Sequence, residues 1–265
     1  MKIGIVGLGI VGGTVKIGME ELGHDVSGHD IKLQTRIDDV LDSDICYVCV
    51  PTPSNSDGTC NTEIAADVVS ELDKNNFKGV IAIKSTIIPG TIDRFSKMYP
   101  KRIFAFVPEF LRERCALSDF TSNHDVCIIG VNDNDSFSLI KESHGHYPKN
   151  FVHLSPKEAE FSKYFNNIYN ATLITFANSF YEICKASGVE YQNVKNAIVE
   201  RDHINNIYLD CNKNFRGFGG VCLPKDTKGF DALSKELGLK VDFFKNILDQ
   251  NDKFETTVPS GMRME

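Results

Sequence analysis

With 265 residues, 42% of them hydrophobic and 25% charged, the chain has the length and composition of one large globular domain or two small ones. Its formal charge of −7 comes without any lysine and arginine block to track a phosphate backbone, which argues against a nucleic-acid partner. No apolar run reaches the length of a signal-peptide core or a membrane span, so the sequence predicts no membrane partner. Its eight cysteines are expected to be reduced thiols of a cytoplasmic protein.

In chain order, apolar runs at 2–6, 25–29, 45–50, 80–83, 103–106 and 126–130 read as strands, with helical periodicity at 11–22 and 64–72 between them. Strands alternating with helical crossovers predict an α/β fold, a Rossmann-type doubly wound and mostly parallel sheet covering residues 1–153. Cys46 and Cys49 fall within the third strand, where their odd spacing sends the side chains to opposite faces. They read as core thiols and not as a redox or zinc pair. From Ser155-Pro156 a long helical pattern runs to 187, with Gly188 at its expected C-terminal cap. Shorter helices are expected at 192–200 and 226–237, and 241–254 holds the start of another. The predicted organisation is a nucleotide-binding domain at 1–153, a smaller all-helical domain at 154–254 and a tail at 255–265. The histidines show no ligand spacing, so no metal site is predicted, and His144-Gly145-His146 reads as an exposed loop.

Gly7-Leu8-Gly9-Ile10-Val11-Gly12 directly follows the first strand and opens a helix. In that context the first glycine makes a tight turn, the second admits a pyrophosphate to the backbone, and the third lets helix and strand pack closely. Asp30 follows Gly12 by 18 residues, at the end of the second strand, where a carboxylate can accept hydrogen bonds from an adenosine ribose. It would repel a 2′-phosphate, so NAD is the expected cofactor, although Lys32 and Arg36 leave room for NADP. A plain turn aspartate is the alternative reading of Asp30.

Further candidates cluster after element ends, where α/β proteins place their sites. They are Val50-Pro51-Thr52-Pro53, the run from Lys84 through Ser85 and Thr86 to Thr91, the run Pro108-Glu109-Phe110-Leu111-Arg112-Glu113, and the glycine-rich Gly217-Phe218-Gly219-Gly220 leading to Cys222, Lys225 and Asp226. Lys163 and Asn167 form an i, i+4 pair on the long helix. Taken alone, Glu109 and Glu113 read more readily as solvated loop charges, and Lys163 and Asn167 as the wet face of an amphipathic helix. Cys222 alone would read as an inert buried thiol. With Gly217-Phe218-Gly219-Gly220 before it, a turn whose backbone can approach a ligand closely, and Pro224-Lys225-Asp226 after it, where Lys225 can favour the thiolate, catalysis becomes the stronger reading.

Together, in this order, these motifs resemble the UDP-glucose/GDP-mannose dehydrogenase family over residues 2 to about 250. The resemblance implies a four-electron oxidation of a nucleotide sugar, from primary alcohol to carboxylate, consuming two NAD molecules. It implies Cys222 as the nucleophile that carries a thiohemiacetal and then a thioester. Lys163 would stabilise developing alkoxide charge and Asn167 would donate to the same oxygen. Asp226 with Thr86 would order a water and receive protons, and Glu109 would assist thioester hydrolysis. Gly7, Gly9, Ile10, Val11, Gly12, Asp30, Val50, Pro51, Thr52, Ser85, Thr86, Glu113 and Lys225 match cofactor-contacting positions. Glu109, Phe110, Leu111, Arg112, Glu113, Lys163, Asn167, Lys213, Gly217, Phe218, Gly219 and Gly220 match substrate-contacting ones. A homodimer through the helical domain is also implied.

The chain departs from the family pattern in three ways. No counterpart is expected here of the third domain that, in the family, follows the cysteine helix and grips the nucleotide. Only residues 31–44 join the second and third strands, where the family inserts several tens of residues. The family's substrate arginine falls near His203, with Arg201 or Arg216 as substitutes. Two other functions therefore stand beside the leading one: a two-electron hydroxyacid dehydrogenase, which needs no cysteine, and a non-catalytic NAD-binding remnant or partner subunit.

Overall fold

The structure, a computed structural model, describes residues 1–254, 256 and 257. The predicted tail at 255–265 lies, apart from Thr256 and Thr257, outside the described residues. Met1–Pro53 with Cys60–Lys163 form one compact unit, and Ser54–Thr59 with the chain from Tyr164 onward form a second.

The first unit is built on strands β1 (Lys2–Val6), β2 (Asp25–His29), β3 (Ile45–Val48), β4 (Val80–Ile83), β5 (Ile103–Phe106), β6 (Val126–Gly130) and β7 (Asn150–Leu154). They lie in the order β2-β1-β3-β4-β5-β6-β7, every neighbouring pair parallel except β5 with β6. Strands buried on both faces supply two cores by their period of two. On one face Val6, Cys46, Val48, Ile81, Ile83, Phe104 and Phe106 pack with Val69 and Leu72 of α2 (Glu63–Lys74) and Ile92 and Phe95 of α3 (Thr91–Met98). On the other, Ile3, Ile5, Ile45, Tyr47, Val80, Ala82 and Ala105 pack with Val15 and Met19 of α1 (Ile10–Glu21), Phe120 of α4 (Ala116–Thr121) and Ile140 of α5 (Asn134–His144). Cys46 belongs to the first core and Cys49 packs against the second. The connection from β2 to β3 contains only a 3-10 turn, Ile37–Val40, whose Ile37 and Val40 cap the first core.

Two sequence expectations need correcting. The sheet has a seventh strand, β7, and three further helices, α3 to α5, in segments that are short or hold few apolar residues. His144 is fully buried at the end of α5, not part of an exposed loop, because its Nδ1 bonds to the Ile140 carbonyl at 2.9 Å and Tyr47 packs edge-on to its ring. Gly145 and His146 are exposed, as expected.

The long helix α6 (Pro156–Ala186) starts at a capping box, with the Ser155 N–H donating to Glu158 Oε2 at 2.9 Å and the Glu158 N–H donating to Ser155 Oγ at 3.4 Å. Its first two turns belong to the first unit. From Tyr164 it enters the second unit with α7 (Tyr191–Ile198), α8 (Cys222–Glu236) and α9 (Phe243–Asn251). Tyr164, Ile168, Ala171, Phe218 and Ile247 make one core there, extended by Phe230 stacked on Tyr164 at 5.4 Å. Ala177, Cys184, Tyr191, Leu209 and Cys211 make another.

Candidate functional site

The strand order β2-β1-β3 places the topological switch at the carboxyl ends of β1 and β3. Gly7 turns there with φ +88°, and a Cβ on it would lie 2.7 Å from the Cys49 carbonyl oxygen. At Gly12 a Cβ would lie 1.8 Å from the Gly7 carbonyl oxygen, so only glycine lets α1 pack on the turn. At Gly9, by contrast, a Cβ would meet nothing within 4 Å, and no side chain caps α1. The first amide groups of the helix, including those of Ile10 and Val11, therefore face an open approach. Asp30 accepts the Lys32 and Leu8 N–H groups, each at 2.8 Å, and these bonds hold its carboxyl below the ordinary aspartate range. An open helix start beside a pinned carboxylate fits a dinucleotide, with pyrophosphate at the amides and ribose at Asp30.

The remaining first-unit candidates follow β3, β4 and β5. Ser85 Oγ donates to the Val50 carbonyl at 2.7 Å, and Cys60 Sγ donates to the Thr86 carbonyl at 3.4 Å and the Thr52 carbonyl at 3.9 Å. These bonds lace Val50, Pro51 and Thr52 to Ser85 and Thr86. After β5, Glu109 Oε2 accepts the Leu111 N–H at 2.8 Å. Lys163 Nζ sits 3.0 Å from Glu109 Oε1, donates to the Glu109 carbonyl as well, and lies 5.6 Å from the Phe110 ring centroid. Both partners of this pair are largely buried. Arg112 bonds Asp119 through Nε at 3.0 Å and Nη2 at 2.7 Å, while Glu113, half-buried, opens a 3-10 turn.

In the second unit, Cys222 is exposed on the first turn of α8. One turn on, Asp226 is fully buried. Its Oδ1 takes Lys225 Nζ at 2.5 Å and its Oδ2 takes Asn167 Nδ2 at 2.5 Å. A helix start favours a thiolate. The glycine-rich loop arrives with Gly217 at φ +57° and Gly220 at +73°. Phe218 sends its side chain into the core and leaves its backbone to the loop, whereas Lys213 is exposed. Arg216, one suggested substitute for the family's substrate arginine, bonds Asn178 Oδ1 at 2.8 Å and pairs with Glu182; Arg201 is exposed.

The structure thus joins Lys163 to Glu109 within one unit, and Asn167 to Asp226 and Lys225 within the other. Sequence reasoning missed three contributors. Asn251 and Asn178 hold the glycine loop: Asn251 pairs with both backbone groups of Phe218, and Asn178 Oδ1 accepts the Gly217 N–H at 3.0 Å. Cys60 laces the cofactor segments. Lys84, which opens the candidate run after β4, is buried with its Nζ 3.3 Å from the Val107 carbonyl, and burial lowers its pKa. Asn178 and Asn251 carry no local signal that separates them from ordinary helical polar residues. Among the described residues no group of three or more His, Cys, Asp or Glu side chains is placed to hold a metal ion. No helix among them is long and apolar enough to cross a membrane.

Two profiles of a single family match this chain. The NAD binding domain of the UDP-glucose/GDP-mannose dehydrogenase family matches residues 32–147, and the central domain of the same family matches residues 157–253. The chain belongs to that family. Among curated relatives it is 31% identical over 242 residues to the UDP-glucose 6-dehydrogenase AglM of Haloferax volcanii, covering 84% of this chain and 55% of the relative. It is 27% identical to the GDP-mannose 6-dehydrogenase of Pseudomonas aeruginosa, covering 80% of this chain and 51% of that one. The chain therefore spans about half the length of the curated relatives it matches. A UDP-glucose dehydrogenase structure from Pyrobaculum islandicum superimposes with a TM-score of 0.87 at 26% identity, covering 95% of this chain and 68% of the other. As a dehydrogenase-family chain it takes NAD as its cofactor, with the Gly7 turn just upstream of the matched NAD-binding stretch.

Proposed function

We propose that this chain oxidises the primary alcohol of a nucleotide sugar to the uronic acid, in the manner of UDP-glucose to UDP-glucuronate, through a thioester on Cys222. The observation that carries the reading is the exposed Cys222 on a helix start, one turn from the buried network of Lys225, Asp226 and Asn167. A hydroxyacid dehydrogenase would have no use for that thiol. The relatives' names add the substrate class, since those proteins act on UDP-glucose and GDP-mannose.

When bound, NAD supplies the hydride acceptor, and two are consumed per sugar. The chain's own residues supply the rest. Lys163 stabilises the alkoxide as the hydroxyl proton departs, Asn167 donates to the same oxygen, and Asp226 with Thr86 orders the water that takes the proton. Loss of the first hydride from the alcohol carbon leaves an aldehyde, and the Cys222 thiolate then adds to its carbon, forming a C–S bond as the carbonyl π bond breaks and its oxygen takes a proton to give a thiohemiacetal. Loss of the second hydride from that carbon gives the thioester. Water attacks the carbonyl with assistance from Glu109, the C–S bond breaks, and Cys222 leaves as the thiolate beside the new carboxylate. The test is NADH formation against a panel of nucleotide sugars led by UDP-glucose. Two NADH per sugar in the wild type, stalled in Cys222→Ser, is the expected result. Undiminished acid formation by Cys222→Ser overturns the reading.

The working form we assign is a homodimer through α6. Every exposed residue of that helix from Phe161 to Phe180 is aromatic: Phe161, Phe165, Tyr169, Phe176 and Phe180. Ile183 continues the stripe at 64% exposure. A second copy is the fitting occupant, because a stripe without exposed charge can face itself across a two-fold axis with no like-charge repulsion.

A further inference from the structure

Glu160 has no part in the proposed chemistry, yet it is fully buried on α6, one turn before Lys163. Its Oε1 accepts the Ile92 N–H at 2.8 Å, and its Oε2 accepts the Gly90 N–H. Those amides end the segment that leaves β4 and carries Ser85 and Thr86. The other end of the segment is tied by Ser85 Oγ to Val50 and by Cys60 to Thr86. One turn along α6, Lys163 bonds the carbonyl and carboxylate of Glu109 on the segment that leaves β5. Two neighbouring turns of one helix thus grip two neighbouring loops at the carboxyl edge of the sheet.

We propose that Glu160 is a positioning residue: by accepting the Gly90 and Ile92 amides it fixes the register of α6 against the Thr86 loop, and so the placement of Lys163 and Glu109. Buried carboxylates are costly, and a merely structural link here needs no charge. An anionic carboxylate is the one side chain that can accept both amides at full strength through separate oxygens. Burial lifts the Glu160 pKa to about 7, despite the two amide bonds; Asp93 on α3 pushes in the same direction and Lys157 on its own helix opposes it. Protonation removes one acceptor, so the grip tightens as the pH rises through neutrality.

The proposal rests on the reading of Lys163 and Glu109 given above, so its test has two arms. In Glu160→Gln, which keeps the shape and one acceptor, turnover in a nucleotide-sugar assay should fall by about ten- to a hundredfold, as for a small misplacement of reacting groups, with the KM for NAD little changed. The rise of turnover between pH 6 and 8 should flatten in the variant. Glu160→Asp, too short to reach both amides, should lose turnover but keep a pH dependence. The second arm, hydrogen exchange of the intact wild type and Glu160→Gln, needs no substrate. Faster exchange is expected at 84–92 and also at 107–113. If the wild type turns over no sugar, the catalytic reading fails while the exchange arm still decides the grip. Unchanged exchange at 107–113, or an unaltered pH profile in an active Glu160→Gln, overturns the proposal.

Discussion

Asn251, near the end of α9, treats Phe218 as a neighbouring strand would: its Oδ1 accepts the Phe218 N–H and its Nδ2 donates to the Phe218 carbonyl, both at 2.8 Å. The amide sits only 5% exposed, so both backbone groups of Phe218 depend on it. Removing it strands each at roughly 1–3 kcal/mol. Asn251→Ala should therefore lower the thermal midpoint by several degrees. It should also cut turnover per folded molecule, because the loop that delivers Cys222 loses its fixed point. Thermal unfolding, with turnover measured well below the variant's midpoint, separates the two effects. Unchanged turnover in the folded variant would show that the loop holds without α9.

The charge pair under Cys222 makes a sharper prediction. Lys225 and Asp226 are 7% and 1% exposed, so neither charge can turn to water when its partner goes. Asp226→Asn leaves a buried ammonium facing an amide, a change that costs about 3–5 kcal/mol in comparable sites. The double variant Lys225→Met with Asp226→Asn should recover most of that stability but none of the activity. Denaturant midpoints of the three proteins form the check. A single variant within about 1 kcal/mol of the wild type would contradict the ion pair seen in the structure.

Much of this arrangement was legible in the sequence, and the reasons are physical. The strands β1, β3, β4 and β5 are covered on both faces, so continuous runs such as Ile45 to Val48 announce them. β7 escaped notice because only its β6 side is paired and Asn150, Val152 and His153 are exposed, which leaves no run and no clean alternation. α3 has an apolar face of just Ile92 and Phe95, too short for periodicity to register. Site residues set in backbone-demanding motifs, Gly7 to Gly12 and Gly217 to Cys222, could be picked out because glycine has few other reasons to cluster there. Asn178, Asn251 and Glu160 act across long sequence separations. Nothing local distinguishes them from ordinary helical polar residues until the fold buries them.

Buried histidines should make the first unit acid-sensitive. Burial drives the His124 pKa down to about 4 and that of His144 well below its ordinary value, with Lys84 adding to both. The folded state keeps these rings neutral, whereas the unfolded chain protonates them near pH 6.5. Their stabilisation is thus complete above about pH 6.5 and is lost as the pH falls towards 4, by up to about 3 kcal/mol for His124. Glu160 works the opposite way: with its pKa raised to about 7, it favours the fold below about 4.5 and yields stability as the pH rises through neutrality. Two histidines against one carboxylate should leave a net loss on acidification. His124→Gln should shrink it, and Glu160→Gln should enlarge it. Thermal midpoints at pH 5 and 7 decide the matter, and a wild type more stable at pH 5 would refute the assignment.

The exposed stripe of α6 carries the last prediction. Phe165, Tyr169 and Phe176 are 75%, 53% and 56% exposed, an unusual display for aromatic side chains along one helix face. In a two-fold pair each of these residues is buried twice, once per copy, so a single substitution acts at two places. Full burial of a phenylalanine contributes about 1.5–3 kcal/mol, and 1.4 kcal/mol is a factor of ten in affinity. Phe176→Glu should then weaken self-association at least about a hundredfold, while the stability of the monomer stays near that of the wild type because no core contact is lost. Sedimentation across a range of micromolar concentrations reads the result directly. A wild-type chain that sediments as a monomer throughout would remove the dimer from the reading, and it would leave the stripe to a partner other than a second copy.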